Sequence, residues 1–152
     1  YKRFVRPHLE FEIQAWSPWN QSDIHTLKRV HKMAVDMVFG LKGNSYEDKL
    51  KEVGLTSLYD RRARGDMVQV WKFLHGKCSM DKTMFLMTNE KHERATRATA
   101  QEIHLTKPKC RLDVRKNFFT VRCIEKWNTL PESLQKEKEL LDFKIKYDRF
   151  IQ

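Results

Sequence analysis

At 152 residues and 40 % apolar content the chain can bury one respectable core or two small ones, which excludes a large multidomain architecture. Thirty Lys and Arg against twenty Asp and Glu leave a net charge of +10, so the surface attracts polyanions. No segment approaches the length of apolar sequence that crosses a bilayer, so no membrane partner is expected.

Helical periodicity dominates the first half. Ser22 and Asp23 can cap a helix with Ile24, Leu27, Val30, Ala34, Met37 and Val38 on its inward side and His25, Lys28, Arg29, Lys32 and Asp36 on the other; Gly40 stops it. Ser45 with Asp48 reads as a capping box for a short helix through Val53, closed by Gly54. Ser57 with Asp60 repeats the device. It predicts a longer helix to about His75, with Tyr59, Ala63, Met67, Val70, Trp71 and Leu74 inward and Gly76 as the stop.

Within that helix Asp60 with Arg64 and Arg62 with Asp66 are i, i+4 pairs, which leaves Arg61 the freest arginine. Gly65 costs a helix interior about 1 kcal/mol relative to Ala. A close neighbour, either a second helix or a backbone, is therefore expected there.

From Lys77 to Thr106 periodicity fades into polar, mixed-charge sequence with at most a short strand at Glu102 to Leu105. Thirty such residues read as a partly irregular linker, either flexible or ordered by a partner. Beyond it, Asp113 can cap a helix to about Asn128, Pro131 breaks the chain, and Leu140, Phe143, Tyr147, Phe150 and Ile151 outline a last helix. The fold class is mainly α, with a helical region over 1–76, a linker over 77–106 and a basic and aromatic helical region over 107–152.

The chemistry concentrates at the start of that last region. Lys107, Lys109, Arg111, Arg115 and Lys116 face only Asp113 within ten residues, and Phe118, Phe119 and Trp127 follow. Cations interleaved with aromatics suit a surface that holds phosphates. On one continuous helix from Arg115, the side chains of Arg115, Arg122 and Lys126 would share a narrow sector of an otherwise apolar circumference. That sector must meet water or an anion.

Other constellations carry little. His75 and Cys78 form an H-x-x-C, and His92, His104, Cys110 and Cys123 could add ligands, but the paired spacing of a zinc site is absent. No metal, cofactor or small-molecule substrate is expected, and no Gly-rich phosphate loop occurs. Cys78, Cys110 and Cys123 suit reduced thiols, and the charged first residues do not open a signal peptide, so an intracellular location in cytoplasm or nucleus is expected.

Three blocks add a further expectation: FVRPHLEFEIQAWSPW at Phe4 to Trp19, LTSLYDRRARGD at Leu55 to Asp66, and KPKCRLDVRKNFFTVRCIEKWNTLP at Lys107 to Pro131. In order and over almost the whole chain, they resemble the region after the palm in reverse transcriptases of jockey-like non-LTR retrotransposons (LINEs). The matching residues are Arg6 to Glu10, Trp16 to Pro18, Gly54-Leu55, Arg61-Arg62, Gly65-Asp66, Arg111, Asp113, Arg115-Lys116, Phe118-Phe119, Trp127-Asn128 and Leu130-Pro131.

The resemblance implies a thumb-like helical bundle over 1–76 and the start of a C-terminal region over 107–152. It implies RNA or an RNA–DNA hybrid as partner, and the palm of the same polymerase as a second. The nucleic-acid contacts expected are Lys28, Arg29, Lys32, Arg61, Lys107, Lys109, Arg111, Arg115, Lys116, Arg122 and Lys126. Reverse transcription needs paired metals on palm carboxylates, and the chain contains no Asp-Asp, so on its own it is expected to be noncatalytic. Two alternatives stand beside this one. The short connection around Gly54 suits a helix-turn-helix reader of duplex DNA, and a retroelement-derived domain could instead serve protein interaction.

Overall fold

A computed structural model describes residues 3–37, 43–79 and 104–151, and the chain is mainly helical, as the periodicity predicts. In chain order the helices are α1 Arg6–Glu10, α2 Ile13–Trp16, α3 Gln21–Asp36, α4 Tyr46–Val53, α5 Leu58–Leu74, α6 Asp113–Lys116, α7 Phe119–Asn128, α8 Glu132–Gln135 and α9 Leu140–Phe150. Two compact units comprise them, Tyr1–Gly65 and Asp66–Gln152, with α5 contributing residues to each. Residues 80–103, most of the expected linker, and the expected stop at Gly40 lie outside the described residues. Of the expected strand only His104 and Leu105 are described.

In the first unit the serine caps form as their spacing predicts. Ser45 Oγ accepts from the Asp48 amide at 3.2 Å and donates to its carboxylate at 2.6 Å; Ser57 and Asp60 do the same at 3.1 and 2.6 Å. Each pairing satisfies an orphan N–H of the first turn. Gly54 ends α4 at φ +63, with the Leu55 amide donating to Leu50 O and the Gly54 amide to Lys51 O. This Schellman closure brings Leu50 and Leu55 together with Val35 in a small apolar cluster.

α3 differs from expectation at its start and in its rotation. Asn20, two residues before the expected cap, accepts from the Ser22 amide. The fully buried positions are His31 and Val35, while Val30 and Met37, expected inward, are 41 % and 80 % exposed. The reason is α4: Tyr46 Oη lies 2.6 Å from His31 Nδ1 and Lys49 Nζ donates to Asp36 at 2.6 Å, so the face toward α4 centres on a histidine.

Gly65 has the close neighbour its cost demands. A Cβ built there would meet Ile13 Cδ1 of α2 at 3.1 Å, and Gln14 Nε2 donates to Gly65 O at 3.3 Å. A further link ties α5 to the N-terminal helices: buried Arg62 donates to Leu9 O at 2.9 Å, and its guanidinium lies 4.5 Å from the Trp16 ring centroid.

The second unit holds the larger core. Met67, Val70, Trp71 and Phe73 of α5 pack with Leu105, with Phe119, Cys123, Ile124 and Trp127 of α7, and with Leu130, Leu134, Phe143 and Tyr147. Phe143 sits at its centre, fully buried, with ring centroids 5.9 Å from Trp71, 6.2 Å from Trp127 and 6.0 Å from Tyr147. Trp71 Nε1 donates to Glu137 O at 2.9 Å. The Asn128 amide grips the Leu105 backbone in both directions, at 3.0 and 2.9 Å, much as a neighbouring strand would. Gly76, at φ +63, closes α5 with a second Schellman pattern, Lys77 N to Lys72 O and Gly76 N to Phe73 O.

Truncation of Phe143 to Ala empties the middle of an aromatic cluster and should lower stability by about 3–5 kcal/mol, read from urea denaturation. Burial holds the His31 imidazole below its ordinary value of 6.5. Because the unfolded chain takes up the proton first, the stabilising contribution is complete above pH 6.5 and lost as pH falls below it. The drop in thermal midpoint between pH 7.5 and pH 5.5 should be smaller in His31→Leu than in the parent chain.

Candidate nucleic-acid interface

The expected single helix from Asp113 to Asn128 is two helices. Asn117 ends α6, its side chain turning back to donate to Asp113 O at 2.8 Å, and Phe118 is extended at φ −66, ψ 146 before α7 begins. An asparagine that hydrogen-bonds its own preceding turn competes with helix continuation, which is the local cause of the break. The expected stripe of Arg115, Arg122 and Lys126 is therefore divided: Arg115 lies on α6, and Arg122 and Lys126 lie half-buried on α7.

Arg122 meets an anion, and it is a carboxylate of the protein. Its Nε and Nη2 donate to the two Asp66 oxygens, both at 2.9 Å, and Nη1 donates to Asn117 O at 3.1 Å. Planar guanidinium and carboxylate match in this bidentate form. One residue thus fastens α5 to α7 and fixes the carbonyl just before Phe118. Arg122 serves as a structural clamp. Cys123, next in sequence, has its thiol pushed up to about 12 by burial and by the nearby Asp66 carboxylate.

Around this clamp the segment before α7 is exposed. Lys107, Lys109, Arg111, Arg115 and Lys116 all reach water, and α6 buries no residue. Lys107 pairs with Glu125, and Lys116 pairs with Asp113 at 2.8 Å, an interaction that raises the lysine's pKa. Lys109, Arg111 and Arg115 have no carboxylate partner among the described residues. Arg115 instead lies over the Phe118 ring, 5.6 Å from its centroid.

Within the first unit Lys28, Arg29 and Lys32 occupy one exposed side of α3, at spacings of three and four residues. Lys28 Nζ lies 5.5 Å from the Tyr46 ring centroid, and Arg29 and Lys32 are without a carboxylate among the described residues. Arg61 is a correction. Expected to be the freest arginine, it is half-buried and bound to Glu10, which also accepts from Arg6 Nε at 3.0 Å. Glu10 lies 51 residues away, so no local spacing announced it.

Asn117, which helps to position the segment, was absent from the residues singled out by sequence, although an amide side chain able to end a helix is a signal. Asp66 was singled out as the i, i+4 partner of Arg62, and the structure shows it holding Arg122. Among the described residues no group of three or more His, Cys, Asp or Glu side chains converges on a metal site. No described helix is long and apolar enough to cross a membrane. A cleft of about 70 Å³ beside His104, Asn128, Leu130, Glu132 and Gln135 has room for a water or two and none for a nucleotide. No protein-family model, curated protein or solved structure matches the chain.

Asp66→Ala leaves a half-buried guanidinium without its carboxylate and should cost roughly 3 kcal/mol, with an Asp66→Leu, Arg122→Met double variant recovering much of the loss in urea titrations. Alkylation at pH 8 followed by mass mapping should find Cys123 the last of the three thiols to react, since little of it is thiolate there.

Proposed function

We propose that this chain is a noncatalytic nucleic-acid-binding piece of a LINE-type RNA-directed DNA polymerase, with RNA or an RNA–DNA hybrid as partner. The observation that carries this reading is the exposed run from Lys107 to Lys116, where Lys109, Arg111 and Arg115 lack a carboxylate among the described residues. Such cations release counterions when they meet a polynucleotide, and the contact is to phosphate, so no base preference follows. Arg29 and Lys32 on α3 add the same chemistry in the first unit. The ordered blocks that resemble the region after the palm support the family part of the reading, with the palm of the same polymerase as the source of metal-binding carboxylates.

The helix-turn-helix alternative has less support. A reading helix uses the side chains of its first turns, and in α5 Asp60 caps with Ser57, Arg61 holds Glu10 and Arg62 is buried on Leu9 and Trp16. Those groups already have structural work.

Binding is best followed by anisotropy on a labelled RNA–DNA hybrid across a salt series. Replacing Lys109, Arg111 and Arg115 together by Ala should reduce the slope of log K against log salt by about 2–3, at 0.7–0.9 per phosphate contact. An unchanged slope rejects the reading and favours a protein-interaction role. Binding should vary less than about tenfold between duplex sequences, the opposite of a base-reading module. The purified chain should extend no primer.

A further inference from the structure

The core of the second unit ends abruptly at Phe119. α7 buries six of its ten residues, whereas α6 buries none. Outside that boundary the chain nevertheless keeps large apolar side chains in water: Leu112, Val114 and Phe118 are 72 %, 66 % and 42 % exposed. They alternate with Arg111, Arg115 and Lys116, and the one carboxylate among them, Asp113, is taken by Lys116. Phosphates alone would satisfy the cations and leave the apolar surface wet.

A duplex presents phosphates outward and keeps its base faces stacked inside, while a single strand presents both phosphates and base faces. The geometry points to an unpaired nucleobase stacked on Phe118, on the ring face that Arg115 does not cover, with Lys109 and Arg111 on the flanking phosphates. Phe118 is held ready for this. Its backbone is extended at the start of α7, and the preceding Asn117 carbonyl is fixed by Arg122 at 3.1 Å. Arg115, over the ring at 5.6 Å from its centroid, holds it by a cation–π contact and brings a positive charge close to the strand. This rests on the nucleic-acid reading above and narrows its ligand to a single-stranded stretch. Charge complementarity selects the occupant: the surrounding segment carries five cations and one carboxylate.

The test uses the full chain with two probes, an oligouridylate of about 15 nucleotides and an RNA–DNA hybrid of the same length. Phe118→Ala should weaken oligouridylate binding roughly 5- to 100-fold and leave hybrid binding unchanged, with Phe118→Trp retaining both. The Lys109, Arg111, Arg115 triple variant should weaken both probes. Because Phe118 is a partly exposed cap residue, thermal melting of each variant separates a folding defect from a binding one. If Phe118→Ala weakens neither probe, or both equally, stacking is overturned while the phosphate reading stands. If the parent chain binds neither probe, both fall. Phe118-dependent binding to phosphatidylserine vesicles without strand binding overturns the proposal and assigns the patch to an anionic membrane surface.

Discussion

The Asp66–Arg122 pair organises the second unit around a charge that its core cannot ignore. α7 is apolar on most of its circumference, and an arginine there must find either solvent or a partner that satisfies its donors. Asp66 supplies that partner from α5 through two bonds of 2.9 Å, with both side chains largely withdrawn from water. Desolvation offsets much of the attraction in such a pair, so its chief effect is to fix geometry rather than to add stability. The register of α7 against α5 makes both bonds, and it also delivers Arg122 to the Asn117 carbonyl.

The consequences extend in both directions along the chain. Downstream, the register sets Cys123, Ile124 and Trp127 into the aromatic core, where Phe143 joins Trp71 to Trp127. Upstream, the fixed carbonyl marks where α6 ends, so that the basic segment leaves the core instead of continuing along it. A single continuous helix would have carried Arg115 and Arg122 on one face. The break converts one amphipathic helix into a buried part and an exposed part.

Much of this architecture was legible locally. The serine caps, the glycine closures at Gly54 and Gly76, the inward Met67, Val70 and Trp71 of α5 and the tight site at Gly65 follow from spacing within one element, and spacing is what a sequence displays; Tyr59, expected inward, is 66 % exposed. The misses share a different cause. The rotation of α3 turns on a histidine that a polarity scale places outside, although a neutral imidazole beside Tyr46 is well accommodated in a small core. Arg61 was assigned to solvent because its neighbours in the helix were counted and Glu10, 51 residues away, was not visible. In the candidate interface the composition of the run from Lys107 to Lys116 was plain, while the separation of Arg122 from it depended on Asp66, 56 residues distant.

Burial then decides which cations remain available to a ligand. Lys107 with Glu125 and Lys116 with Asp113 are exposed ion pairs, held weakly in high dielectric, and a phosphate can replace either carboxylate at little cost. Arg122 with Asp66 and Arg61 with Glu10 are partly desolvated and hydrogen-bonded on several atoms, so exchanging their partners would strand a carboxylate. The same residue type is therefore exposed and exchangeable at one position and a structural bolt at another. For a chain with a formal charge of +10, that division sets which cations present an uncompensated charge to solvent, and Lys109, Arg111 and Arg115, where no described carboxylate competes, are among them.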